Sequence, residues 1–122
     1  MKALLCKEFG PPETLSYEEI DDPVLKDGHV VVDIHSASVN FPDVLMIQDK
    51  YQFKPPLPFS PGGESSGVIT EIGNGVEGFN QGDRVIVSSG WGSFAEKILV
   101  EPSTCLLYTS DAADESLGVD SG

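Results

Sequence analysis

The stretch Pro61-Gly-Gly-Glu-Ser-Ser-Gly-Val-Ile-Thr-Glu-Ile-Gly-Asn-Gly-Val-Glu-Gly-Phe-Asn-Gln-Gly-Asp-Arg-Val-Ile-Val87 decides the fold. Within it, Gly73-Asn-Gly75-Val-Glu-Gly78 has the GxGxxG spacing of a dinucleotide-binding turn and follows a strand-like segment. That chemistry needs a helix to start directly after the glycines, because helix amides and dipole hold the pyrophosphate. Here the glycines lead into Phe79-Asn-Gln-Gly-Asp-Arg-Val-Ile-Val87, a Gly-Asp turn followed by β-branched residues. The run therefore reads as strand, turn, strand. Residues 65–72 and 84–88 are the strands, and Gly73 and Gly75 supply positive φ in the connection.

Working outward, residues 2–8 alternate weakly and read as a strand. Gly10-Pro11-Pro12 is a turn, and 14–20 is a second strand antiparallel to the first. Asp21-Asp-Pro23 and Lys26-Asp-Gly28 mark a loop. Residues 29–38 form the strongest strand, with Val30, Val32 and Ile34, or the alternate set with Val31, facing inward. Residues 42–50 read as a short helix, with Pro42 at its first position and Val44, Leu45 and Ile47 on an apolar side. Residues 53–61 make a stiff proline-rich crossing, with a PxxP partner motif as the second reading. Residues 93–100 form a further strand. Six short strands, glycine turns and one small helix predict a barrel-like, mainly β architecture.

Composition narrows the function classes. A chain of 122 residues suits one domain. Its net charge of −13 repels nucleic acid and anionic membranes, which excludes both as expected partners. No apolar run approaches the ~20 residues of a membrane helix, and the first residues lack a signal-peptide core. The expected location is cytoplasmic. Cys6 and Cys105 are too far apart for a metal knuckle, and Cys6 reads as a buried small hydrophobe.

Pro61-Gly-Gly-Glu64 and Ser38-Val-Asn-Phe-Pro-Asp43 resemble the catalytic-domain core of the medium-chain dehydrogenase/reductase superfamily. In its zinc alcohol dehydrogenases a ligand His occupies the position of Gly63, and a ligand Cys falls near Asn40. Zinc needs such ligands, so the resemblance is to the zinc-free branch, the quinone oxidoreductase or zeta-crystallin-like enzymes. It covers residues 1–104 and implies a GroES-like, partly open β-barrel with short helices. It also implies hydride transfer from NADPH to a quinone or α,β-unsaturated carbonyl, and a homodimeric parent protein with a Rossmann domain that is missing from this sequence. The alternatives are a zinc alcohol dehydrogenase fragment and a non-enzymatic GroES-like binding module.

The resemblance also proposes site residues. It places Asn40 by the nicotinamide end of the cofactor, where a carboxamide can donate to developing negative charge. The other reading of Asn40 is a cap for the next helix. Asp43 is expected near the cofactor or, equally, as a first-turn acid favoured by the helix dipole. Tyr51 matches a cleft-lining aromatic, against simple packing over the proline crossing. Glu64 is expected to be structural, and His29 and His35 to face solvent. Trp91 lines the substrate cleft or lies on a surface loop. Finally, Cys105–Asp114 matches a translated transposase sequencing adapter. The expected domain is therefore 1–104, with 105–122 a non-native, disordered tail.

Overall fold

Two nine-residue strands, β3 (Val30–Ser38) and β4 (Glu64–Ile72), form the spine of the molecule. They belong to a computed structural model that describes residues 1–52 and 54–107. Around them, in chain order, lie β1 (Lys2–Leu5), β2 (Ser16–Glu19), α1 (Phe41–Ile47), β5 (Arg84–Ser88), β6 (Lys97–Val100) and β7 (Cys105–Leu107). Single 3₁₀ turns at Pro12–Thr14 and Pro102–Thr104 each begin with a proline, whose fixed φ suits a turn start. β1 and β2 make a hairpin-like pair, and the other five strands run in the order β6-β3-β4-β5-β7. All pairings are antiparallel. The larger sheet stays open between β6 and β7, as a partly open barrel predicts. Among the described residues no helix is long and apolar enough to cross a membrane.

The main core is Val30, Val32, Ile69, Val85, Val87, Ile98 and Val100, contributed by the four strands β3 to β6. Period-two alternation places Val30 and Val32 there. Val31 is fully buried as well, so choosing between two alternating sets is corrected: both faces of the start of β3 are covered. A second cluster, Cys6, Met46, Ile47 and Phe59, joins α1 to the first strand. An antiparallel bridge fixes it, with Cys6 N–H donating to the Phe59 carbonyl at 2.7 Å and Phe59 N–H to the Cys6 carbonyl at 3.1 Å.

Several boundaries differ from expectation for local reasons. The helix runs over Phe41–Ile47, placing Pro42 at its second position. It stops before Lys50 because Asp49 takes φ 60°, a left-handed conformation that Asp tolerates better than most residues. The strand expected over 93–100 begins only at Lys97, because Ser93 and Phe94 N–H groups donate to Gly62 and Pro61 carbonyls instead. Gly75 has positive φ, as the turn reading requires, but Gly73 does not. Gly73 is needed for space, since a Cβ there would stand 2.1 Å from the Lys26 carbonyl oxygen. His35 is exposed, whereas His29 is half-buried, with Nδ1 3.0 Å from the Asp27 carbonyl.

The boundary expected at Thr104 is passed by the sheet. Cys105–Leu107 pairs with β5 in the register Val85↔Leu107, Ile86↔Leu106 and Val87↔Cys105. Backbone pairing at an edge needs no apolar alternation, which is why the pattern does not reveal it. Residues 108–122 and Phe53, at the head of the proline-rich crossing, lie outside the described residues.

β3 and β4 lose register between Ile34 and Ser36, opposite Gly67. There the strands approach so closely that a Cβ on Gly67 would lie 1.9 Å from the Asp33 carbonyl oxygen. Gly67→Ala is expected to destabilise the chain by about 3 kcal/mol, as overpacking a rigid site does. Urea unfolding of the variant and the parent chain checks this.

Candidate functional site

The site begins at the corner where β3 hands over to α1. Asn40 has extended backbone, φ −123° and ψ 162°, and its carbonyl accepts the Asp43 N–H at 3.0 Å to start the helix. Asp43 is buried, being 4% exposed, and its carboxylate is the hinge of the arrangement. Oδ2 accepts the Asn40 N–H at 2.8 Å, and Oδ1 accepts the Gly63 N–H at 3.1 Å. One side chain thus satisfies two backbone donors, Asn40 and Gly63, that lie far apart in the chain.

Gly63 carries the link onward. Its carbonyl accepts N–H groups from Ser89 at 2.9 Å and Gly90 at 3.3 Å. The chain leaving β5 is thereby drawn against the start of β4. The Gly92 N–H donates to the Ser60 carbonyl at 2.7 Å, and the buried Ser93 hydroxyl bonds Ser65 Oγ at 2.8 Å. A side chain at Gly63 would crowd this junction, with its Cβ 3.3 Å from the Gly90 carbonyl oxygen and 3.7 Å from Asp43 Oδ1.

These three segments enclose an open cleft of about 510 Å³. Asn40, Asp43, Glu64, Ser88 and Ser89 give it a polar side, while Pro42, Met46, Tyr51 and Trp91 give it an apolar one. The Asn40 carboxamide is engaged through Nδ2, which donates to Ser38 Oγ at 3.1 Å and Glu64 Oε1 at 3.2 Å. The Glu64 carboxylate fixes that orientation, since an amide oxygen facing it would be repelled. Tyr51 leans on the cluster of Cys6, Met46, Ile47 and Phe59 while lining the cleft. Trp91 meets Phe59 edge-on, with ring centroids 6.2 Å apart and planes at 81°.

The sequence-derived candidates Asn40, Asp43 and Tyr51 therefore meet in one cleft, joined by Trp91. Asp43 spends both oxygens on backbone amides, which is its contribution to the geometry. The sequence reading missed Glu64 as the partner of Asn40, and Ser88 and Ser89 as wall residues. The adjacency of Glu64 to the Gly63 junction was the available signal for the first. His29 and His35 do not line this cleft. Among the described residues no three His, Cys, Asp or Glu side chains are grouped closely enough to hold a metal ion. Neither thiol is activated. Burial pushes Cys6 up, helped by the Glu8 charge, and burial pushes Cys105 up against a smaller opposing hydrogen bond from Thr104.

Residues 26–110 match the family described as the alcohol dehydrogenase GroES-like domain. The chain is 40% identical over 103 residues to the quinone oxidoreductase-like protein 2 of Mus musculus, covering 84% of this chain and 29% of that protein. It superposes on a probable oxidoreductase from Mycobacterium abscessus with a TM-score of 0.82 at 39% identity, over 88% of this chain and 34% of that one. A mycobacterial structure complexed with NADPH gives a TM-score of 0.82 at 28% identity, over 91% of this chain and 34% of the other. The present chain thus spans about a third of each of these proteins.

The Asn40–Glu64 contact makes a testable prediction. Asn40→Asp sets two carboxylates against each other, so proton uptake in the folded state is favoured and the folded pKa of the pair rises. The penalty is full at pH 7 and shrinks as pH falls and the pair takes up a proton. At this exposed position the loss at pH 7 is expected to be about 1 kcal/mol. Melting curves of both proteins from pH 4 to 8 check the sign.

Proposed function

Because the chain belongs to the alcohol dehydrogenase GroES-like domain family, we propose that it forms the substrate-side wall of a cleft in which hydride passes from NADPH to a quinone or α,β-unsaturated carbonyl. The observation that carries this reading is the convergence of Asn40, Tyr51, Glu64 and Trp91 on one open cleft. Its aromatic and carboxamide lining suits a flat ring bearing an amide or a carbonyl. The turn at residues 73–78 leads to a strand, not a helix, so it offers no phosphate cradle. In this reading the pyrophosphate and ribose are held by a dinucleotide-binding domain of the parent protein, which is homodimeric and cytoplasmic.

The residues then divide the work. The cofactor, when bound, supplies the hydride. Tyr51 donates toward the acceptor's carbonyl oxygen as negative charge builds there. Asn40 contacts the nicotinamide end, its carboxamide held in one orientation by Ser38 and Glu64. Asp43 serves the cofactor side by fixing the backbone of Asn40. Met46, Pro42 and Trp91 exclude water from the reacting atoms, and donor and acceptor must come within about 3–3.5 Å.

The test joins residues 1–107 to the dinucleotide-binding domain of a close relative and assays NADPH-dependent quinone reduction. Reduction is expected, and Tyr51→Phe is expected to lower kcat while leaving KM within about twofold. A direct oxyanion donor is worth roughly 2.7–4 kcal/mol. An unchanged kcat removes Tyr51 from the chemistry, and no reduction by the parent chimera removes the function.

The site is also proposed to work without zinc. Asn40 and Gly63 offer neither thiolate nor imidazole, and the Glu64 carboxylate is engaged by Asn40. Purified protein dialysed against buffer is expected to hold far less than one zinc per chain by elemental analysis. Stoichiometric zinc that survives dialysis would contradict the assignment.

A further inference from the structure

We propose that Asn74 is a site of spontaneous covalent modification, deamidating through a cyclic imide, while the fold protects the Asp27-Gly28 turn packed beside it. Asn74-Gly75 is the one Asn-Gly pair of the chain, and Asp27-Gly28 the one Asp-Gly pair. Both are prone to imide closure in an unstructured chain, because glycine puts no side chain in the way of its own backbone nitrogen. The fold brings the two pairs together. Gly28 N–H donates to the Asn74 carbonyl at 2.8 Å, and Asn74 Nδ2 donates to Asp27 Oδ1 at 3.2 Å. Asn40 and Asn80 are followed by Phe41 and Gln81, whose side chains crowd the attacking nitrogen.

The reaction depends on the backbone nitrogen that follows the side chain. Gly75 N gives its proton to hydroxide and attacks Asn74 Cγ, forming the ring C–N bond. The Cγ–Nδ2 bond breaks, and ammonia leaves with a proton from water. Water then opens the imide, at Cγ to give aspartate or at the backbone carbonyl to give isoaspartate. Nothing is oxidised or reduced. The geometry favours this at Asn74. Among the described residues Gly75 N–H donates to no acceptor. Its turn is closed only by a long bond, Val76 N–H to the Gly73 carbonyl at 3.4 Å. Gly75 has φ 86°, and a Cβ there would meet nothing within 4 Å, so the nitrogen has room to swing. Asn74 and Gly75 are both exposed to water. For Asp27 the attacking nitrogen is that of Gly28, which must first give up its bond to the Asn74 carbonyl. Deamidation also changes the contact between the turns. It puts a carboxylate where Nδ2 donated to Asp27, so an attraction becomes a repulsion and the tie at Gly28 loosens.

The test incubates the full chain, and synthetic peptides covering residues 24–31 and 71–78, in warm, mildly alkaline buffer. Peptide mapping then counts aspartate and isoaspartate at each position. Asn74 in the folded chain is expected to convert within about fivefold of its peptide, since its attacking amide is free. Asp27 is expected to isomerise at least about tenfold slower than in its peptide, because a native hydrogen bond must open first. Asn40 and Asn80 are expected to convert at least about tenfold slower than Asn74, since neither precedes a glycine. Asn74→Gln, whose longer side chain closes a ring far less readily, should abolish the product at this position with the amide spectrum of the fold retained. Protection of Asn74 by tenfold or more relative to its peptide overturns the proposal, as does equal protection of Asn74 and Asp27. In Asn74→Asp, which carries the charge of the product, Gly28 N–H is expected to exchange at least about threefold faster. Unchanged exchange at Gly28 overturns the loosening of the tie.

Discussion

The carboxylate of Asp43 is the constraint on which the cleft depends. It is buried, and it accepts one amide from the chain entering α1 and another from the chain entering β4. Removing it leaves two inward-facing amides without a partner, which costs more than the loss of a surface contact. Through Gly63 the same constraint reaches Ser89 and Gly90, and through them the loop that carries Trp91. The positions of Asn40, Glu64 and Trp91 are thus consequences of one backbone-satisfying side chain. Gly63 is part of this economy: without a side chain it lets three segments meet at one point.

Much of the fold was legible because alternation and turn chemistry report directly on strands. The sequence 84–88 and the glycines before it read as a turn and strand, and that reading dismissed the apparent dinucleotide fingerprint. What remained hidden was not local. Val31 is buried on the face that alternation assigns to solvent, because both faces of β3 are covered there. β7 pairs through its backbone, with Leu106 and Leu107 exposed, so hydropathy holds no trace of it. The need for glycine at position 73 likewise comes from a close approach of Lys26, forty-seven residues earlier in the chain.

The site divides the same way. Asn40 was legible as a residue at a strand-to-helix corner, while Asp43 and Tyr51 came from the resemblance, and the three share one cleft. Their roles depend on partners that no spacing reveals. Glu64 sits twenty-four residues from Asn40 and yet holds its amide. Both Asp43 oxygens accept backbone amides, a role carried by two distances and not by its place in the first turn of a helix. The glycine-flanked Trp91 was readable as a loop, but its contact with Phe59 is what turns it into a wall.

The claim that one carboxylate assembles this cleft is most directly tested by amide hydrogen exchange in Asp43→Asn. A carboxamide can accept one of the two amides but presents N–H to the other. The account predicts that protection at Gly63 or Asn40 falls by about tenfold or more, as loss of a hydrogen bond to a charged group implies. Ser89 and Gly90 should exchange faster as well, while Val32 and Ile69 at the centre of the sheet keep their protection. Unchanged exchange at Asn40, Gly63 and Ser89 in the folded variant would contradict it.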